Sequence, residues 1–427
     1  MMNLQKDLHN LVNAEVISSE TADKIRDYYK AKEKSLANPL MVVFAVIGAT
    51  LVGLGIILII AHNWDNLPLI TKTIFAFLPL LIGQLLCAFT IIKKPDHTLW
   101  KEASSTFLFF SIAAGISLIG QVYHIPGNLT SFMFVWMLLA LPIIYLLKSS
   151  TVSLLYIIGV TFYGCEGNYF SSGTQVYDFW IFLAAAIPNY FFLVKNRPES
   201  NYTYFHHWIL PASLLITLGT LAKDNGELIL LAYVCLLGVF YLLGSSPEVS
   251  TEKARNNGYL IIGSSGMVGF LTFLTFDGFW SELRGENFAI PEVIMSPEFI
   301  AVFMLSAIAL FLLVRKIKSQ SASAIKPMDI AFLVFIVSFI VGLYASLVLI
   351  LINLMVFAIG IWYIKYGSSK NHLGFLNYGL MIISLLIICR VFDSDLSFVI
   401  RGILFVLVGA GFFVSNYQML KRRKADE

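Results

Sequence analysis

The sequence predicts an all-α, polytopic integral membrane bundle of about 14 transmembrane helices, with both termini in the cytoplasm. Three observations carry that prediction. Of the 427 residues, 58% are hydrophobic and only 13% are charged, against roughly 25% charged in a soluble domain. Uncharged apolar runs recur along the whole chain, beginning with residues 40–61, which approaches the ~20 residues a helix needs to cross ~30 Å of hydrocarbon. The basic residues are also segregated by the turns between these runs. Alternating apolar strands of ~10 residues, the mark of a membrane barrel, are absent.

The elements follow in chain order. A charged, polar segment precedes the first apolar run, so no cleavable signal peptide is predicted and the first span acts as its own insertion signal. Residues 1–36 read as a cytoplasmic helical hairpin. A helix covers about 4–13, and a second is N-capped at Ser18 or Ser19, with Ile25 and Tyr28 or Tyr29 on its apolar side. Such a hairpin is too small to hold a core alone. Its simplest role is a lead-in lying on inner loops or lipid headgroups; its second is a docking module for a cytoplasmic protein partner.

Residues 40–416 form the bundle. Its spans fall near 40–62, 70–92, 103–123, 130–147, 150–166, 177–194, 205–222, 227–243, 258–276, 298–315, 327–344, 347–364, 373–390 and 396–416. The fifth is short before Gly164 and Glu166, and the eleventh and twelfth are split only at Tyr344, Ala345 and Ser346. Residues 417–427, with the run KRRK, make a basic cytoplasmic tail able to attract anionic lipid.

Charge asymmetry supports the count. With the N-terminus inside and strict alternation, only Lys72, Lys223, Arg284, Arg390 and Arg401 of the 29 Lys and Arg fall outside. That is a strong positive-inside bias. It also requires two spans between RKIKSQSASAIK and KYGSSK, both of which belong in the cytoplasm. Of the 26 acids, 12 fall outside, so the outer face is net negative.

Three stretches together resemble a bacterial family known as domain of unknown function 2157 and its relatives. The first is LVNAEVISSETADKI followed by IGATLVGLGIILIIAHNWDNLPLITK. The second is GISLIGQVYHIPG leading to MLLALPIIYLLKSS. The third is CRVFDSDLSFVIRGILFVLVGAGFF, near the C-terminus. The first two cover roughly 8–150, and about 165–370 carries no matching motif. The resemblance implies a multi-span bacterial membrane protein, hence an inner-membrane location. It brings no established activity and no catalytic residue.

The polar residues of all three stretches fall at the outer boundary of their spans. His62, Trp64 and Asp65 close the first span, Gln121 and His124 the third, and Glu166 the fifth. Arg390 closes the thirteenth, Asp393 and Asp395 occupy the short loop after it, and Arg401 lies about five residues into the fourteenth. Together they define a candidate outer-face binding cluster. The boundary alone also explains much of it, since Trp belongs to the interfacial belt and Arg snorkels to headgroups. An intramembrane arginine at mid-bilayer costs at least ~2.5–3.5 kcal/mol unless it meets a partner or water, so Arg401 is the sharpest single residue. His206 and His207 read as anchors at the inner boundary, and Gln84 and Asn189 as interhelical hydrogen-bonding groups or path lining. GATLVGLG and GAGFF offer small faces for helix packing.

Other classes lack a signature. Nothing resembles HExxH, a phosphate-cradling glycine loop or a Ser/His/Asp arrangement. The four cysteines lie in apolar runs without CxxC and read as small buried hydrophobes. No metal, cofactor or nucleic-acid partner is expected; the lipid bilayer is. Transport is the leading function, with a small molecule or lipid as substrate. A sensory or assembly role through the N-terminal arm comes second, and an outer-face membrane enzyme using His62, His124 and the acids third.

Overall fold

Hydropathy and the positions of the basic residues translate directly into helices. A computed structural model of the chain describes Leu8 and residues 11–34, 64–170, 175–223, 226–249, 254–285, 293–320, 325–393 and parts of 399–417. Every regular element among the described residues is helical. Contacts divide the chain into Met1–Phe75 and Ala76–Glu427.

In the first unit, α1 spans Ser19–Lys34. The Ser18 hydroxyl accepts the Thr21 amide at 3.2 Å, the predicted N-cap. Leu8 and Ala22 are buried. Exposed pairs Lys24–Glu20 and Arg26–Asp23, both at 2.7 Å, contribute only ~0–1 kcal/mol each. The helix expected over 4–13 is described at Leu8 and residues 11–13, all helical. The Tyr28 and Tyr29 side chains, and the whole expected span 40–62, lie outside the described residues.

Helix α2 (Leu69–Lys93) runs from the first unit into the second. There follow α3 (Thr98–Val122), α4 (Leu129–Leu147), α5 (Ser150–Cys165, continued by a π turn Glu166–Phe170), α6 (Phe179–Asn196) and α7 (Asn201–Leu218). Then come α8 (Gly226–Gly244), α9 (Gly258–Phe273), α10 (Asp277–Gly285), α11 (Pro297–Gln320), α12 (Pro327–Gly342), α13 (Leu347–Ser369) and α14 (Leu373–Asp393). The predicted break at 344–346 separates α12 from α13, as the charges flanking that run required.

Cross-links fix which ends of the helices lie together within the second unit, and the short connections between them do the rest. Thr90 near the end of α2 meets Ser104 near the start of α3 at 3.1 Å. Ser153 and His206 pair the starts of α5 and α7 at 3.0 Å, and Lys316 joins the end of α11 to Asp329 at the start of α12 at 2.6 Å. At the opposite end, Tyr169 reaches the Ile216 carbonyl at 2.9 Å and Arg390 reaches Thr275 at 3.1 Å. The helices from α2 to α14 therefore alternate between a Lys316 end and an Arg390 end, with bent α9–α10 counted as one crossing.

At the centre is α8. It is apolar all round, the pattern of a helix with no solvent or lipid face, and it packs on α7, α9, α11 and α12. Close approach to α9 depends on small residues: a Cβ at Gly263 would lie 2.5 Å from the Tyr241 amide nitrogen, and one at Gly244 2.4 Å from that of Leu260. This is how membrane helices pack, by backbone proximity rather than exclusion of water.

The outside is apolar too. Ile181, Phe191, Leu85 and Phe311 are all exposed, whereas soluble proteins rarely expose contiguous apolar surface of this kind. Among the described residues, eight helices are long and apolar enough to cross a membrane: α2, α3, α4, α6, α8, α11, α13 and α14. There are nine if α9 and α10, bent by 69°, form one broken span. Helices α5 and α12 fall short of that length at 16 residues each, and α7 starts on the polar run NYTYFHH. Helix α10 itself was not foreseen, because its residues read as an outer loop. It folds back because Trp280 is fully buried, donating to the Leu274 carbonyl at 2.8 Å with Phe339 beside it at 6.0 Å.

Candidate functional site: Arg390 beside a broken helix

The residues singled out by sequence have different fates. Trp64 stands in a 3-10 turn (Trp64–Asn66) with the Lys72 ammonium 5.9 Å from its ring centre, a cation–π contact within the first unit. His62, Asp395 and Arg401, and the side chains of Asp65 and Asp393, lie outside the described residues; Asp393 closes α14.

Gln121 and His124 are both exposed at the end of α3. His124 has φ 50°, and the Ile125 amide donates back to the Gly120 carbonyl at 2.9 Å. That is the closure of a Schellman cap, so His124 ends the helix in the position glycine usually takes. Glu166 opens the π turn after α5 and is half-buried. Among the described residues, no hydrogen bond or ion pair links Gln121, His124, Glu166 and Arg390 to one another.

Arg390 is built into a site of a different composition. Its guanidinium donates to the Thr275 hydroxyl at 3.1 Å and lies 4.7 Å from the Phe276 ring centre. Thr275 and Phe276 are in the break between α9 and α10. The same arginine lines a cleft of about 470 Å³ between α13 and α14, with Leu349, Ile350, Asn353, Leu354, Phe357 and Leu386. The Asn353 amide donates to the Leu349 carbonyl at 2.7 Å. An apolar wall with one arginine and one carboxamide suits an amphiphile with an acidic head. Non-helical backbone at membrane depth is tolerated only where protein buries it or where it lines a cavity, and here a break and a cleft share one side chain.

The Lys316 end holds charged groups that sequence reasoning missed. Asp329 is fully buried; one oxygen accepts from Lys316 at 2.6 Å and the other from the Lys326 amide at 2.8 Å. Lys316 also donates to Ser245 at 3.1 Å. The signal for Asp329 was present as an acid three residues into a helix opened by Pro327; its partner across the loop was not legible. Burial, and then repulsion from Lys316, hold the Lys326 ammonium below its usual range.

Glu102, at the start of α3, is a second such group. Its carboxylate accepts from the Ser149 hydroxyl and from the amides of Ser150 at 3.0 Å and Thr151 at 2.9 Å. It thereby satisfies the orphan donors and positive dipole end of α5.

His206 and His207 are not boundary anchors: both are buried. His206 Nδ1 donates to the Tyr202 carbonyl at 2.7 Å, so Nε2 accepts from Ser153. The His207 ring sits 5.9 Å from both Tyr190 and Tyr259, because α7 brings it inward against α6 and α9. Gln84 is exposed on α2, and Asn189 is buried on α6. Among the described residues, the Asn189 amide nitrogen, Tyr156 hydroxyl and His207 Nε2 are buried without a hydrogen-bond partner, sites that bound water ordinarily serves. No group of three His, Cys, Asp or Glu among the described residues is arranged to hold a metal.

An all-helical bundle with an apolar outer surface, eight spanning-grade helices and buried charge is a multi-span membrane protein in a lipid bilayer. Residues 9–153, about a third of the chain, match the family described as "Predicted membrane protein (DUF2157)". The match takes in the first two stretches of the resemblance and stops before the third. No curated protein matches the chain, and no solved structure does.

Proposed function

We propose that the chain is a transport protein of the bacterial inner membrane, with a cleft that opens to the outer face at the Arg390 end. The carrying observation is Arg390 itself, shared by the helix break at Thr275 and the cleft beside Asn353. Discontinuous helices next to a cavity are how secondary transporters form substrate sites. The apolar lining and the guanidinium favour an amphiphilic anion as substrate.

The topology that goes with this reading has 14 spans and both termini in the cytoplasm. The alternation of helices from α2 to α14 supports it, since those crossings coincide with the second to thirteenth expected spans. The Lys316 end is then cytoplasmic, which suits its Arg315, Lys316, Lys318 and Lys326. On this reading 1–36 is a cytoplasmic arm, 40–416 the bundle and 417–427 a basic tail.

Reconstitution tests the function. Purified protein in liposomes is expected to move a headgroup-labelled anionic lipid or an amphiphilic organic acid across the bilayer, with Arg390→Gln and Asn353→Leu each slowing it about tenfold or more. Folded protein that moves neither would defeat the transport reading.

A second reading, docking of a cytoplasmic partner, has one observation of its own: Leu11 and Val16 are exposed apolar side chains in the first unit. Crosslinking in cells before and after deleting residues 1–36 separates the two. A partner lost on truncation while flux persists assigns docking to the arm; an unchanged crosslinking pattern rejects it.

A further inference from the structure

A second cavity, of about 220 Å³, lies at the Lys316 end between the last turns of α8 and α11. Leu242, Pro247 and Leu312 line it with apolar surface, and Arg315, Lys316, Glu248, Ser245, Ser246 and Ser319 with polar groups. It shares no lining residue with the cleft beside Arg390.

From this geometry we infer a binding site for the phosphate of an anionic phospholipid. Lys316 donates to Asp329 and Ser245 and lies 5.9 Å from the Tyr241 ring centre, so it adds positive charge at the cavity wall. Arg315 has five N–H donors and forms one salt bridge, to Glu248. That bridge is about half exposed on both sides, the kind of pair that contributes little to stability and yields readily to a phosphate. The Ser245 and Ser319 hydroxyls donate to the carbonyls of Leu242 and Lys316, each at 3.1 Å, so the Arg315 guanidinium is the principal donor for phosphate oxygens.

The cavity's position selects a lipid rather than a soluble phosphate. Immediately before Arg315, α11 exposes Ile308, Phe311 and Val314. An apolar track for acyl chains thus leads directly to the basic rim. Basic pockets between spans at the cytoplasmic face are a recurrent design for acidic headgroups.

Glu248 is the internal competitor. Its own backbone amide, then Ser246 and Arg315, hold its carboxyl below the usual range, so it is ionised at neutral pH. A phosphate entering the cavity must displace it from Arg315, and neutralising Glu248 therefore strengthens binding.

The test is lipid titration of the full-length protein in neutral detergent, followed by native mass spectrometry. Phosphatidylglycerol is expected to bind about fivefold or more tightly than phosphatidylcholine, the increment of one basic side chain. Arg315→Gln removes that preference and Glu248→Gln increases it. Ser319→Leu, which fills the cavity without touching charge, lowers occupancy as well. Arg315 and Glu248 are exposed enough for both variants to keep the parent's unfolding temperature. Equal binding of the two lipids, or a preference unmoved by either charge variant, overturns the inference. Displacement of phosphatidylglycerol by millimolar inorganic phosphate overturns the lipid assignment in favour of a soluble phosphate.

Discussion

Replacing Asp329 with alanine is expected to destabilise the folded protein by about 3–5 kcal/mol, the cost of leaving one member of a buried ion pair uncompensated. Asp329 is fully buried and holds Lys316 at 2.6 Å. Its removal strands an ammonium whose side chain is only 10% exposed. It also frees the Lys326 amide at the first turn of α12. Thermal unfolding in detergent reads the loss. The double variant Lys316→Met/Asp329→Leu is expected to recover most of it, since apolar replacement of a whole buried pair is often neutral. An Asp329→Ala protein within 0.5 kcal/mol of the parent, a margin typical of surface substitutions, would show that the pair holds nothing.

The second large effect comes from one methyl group. Gly263→Ala places a carbon 2.5 Å from the Tyr241 nitrogen and 3.0 Å from the Leu237 carbonyl oxygen. Both are backbone atoms of α8, so the two helices must separate. A cost of about 2–3 kcal/mol follows from overpacking. Gly269→Ala, on the same helix, is the internal control, because a Cβ there meets nothing within 4 Å. It is expected to stabilise by up to about 1 kcal/mol through helix propensity. Two identical substitutions with opposite signs in the unfolding temperature would confirm the α8–α9 contact; equal shifts would refute it.

Much of this architecture was legible because a spanning segment announces itself by composition. The break at 344–346 and the Ser18 cap were readable for specific reasons: one from the charges that flank the run, the other from the hydroxyl before a helical pattern. The pairings were not. A window of sequence reports how apolar a segment is, not which helix it will meet. Lys316 near a span end reads as a topology anchor whether or not Asp329 waits across a loop. His206 and His207 read as boundary residues because the interior of a bundle has no sequence signature when its polar groups are few. The GATLVGLG run lies outside the described residues, while close backbone approaches fall at Gly263 and Gly244.

The candidate site was legible in one residue. Arg390 emerged as a charge closing a span. What makes it a candidate is the break at Thr275 and the cleft beside Asn353, and neither leaves a mark in hydropathy. α10 was hidden because Asp277, Glu282 and Arg284 give its nine residues the polarity of a loop, although Trp280 anchors it in the core.

The proposed transport path requires that the cleft beside Arg390 open to the outside of a bundle whose Lys316 end is cytoplasmic. Cysteine accessibility in intact cells tests this most directly, in a background with Cys87, Cys165, Cys235 and Cys389 replaced. Tyr344→Cys, in the exposed turn between α12 and α13, and Asn353→Cys, in the cleft, are predicted to react with a membrane-impermeant maleimide added outside. Ser319→Cys is predicted to react only after permeabilisation. Labelling of Ser319→Cys from outside, or protection of Asn353→Cys where Tyr344→Cys reacts, would contradict the account.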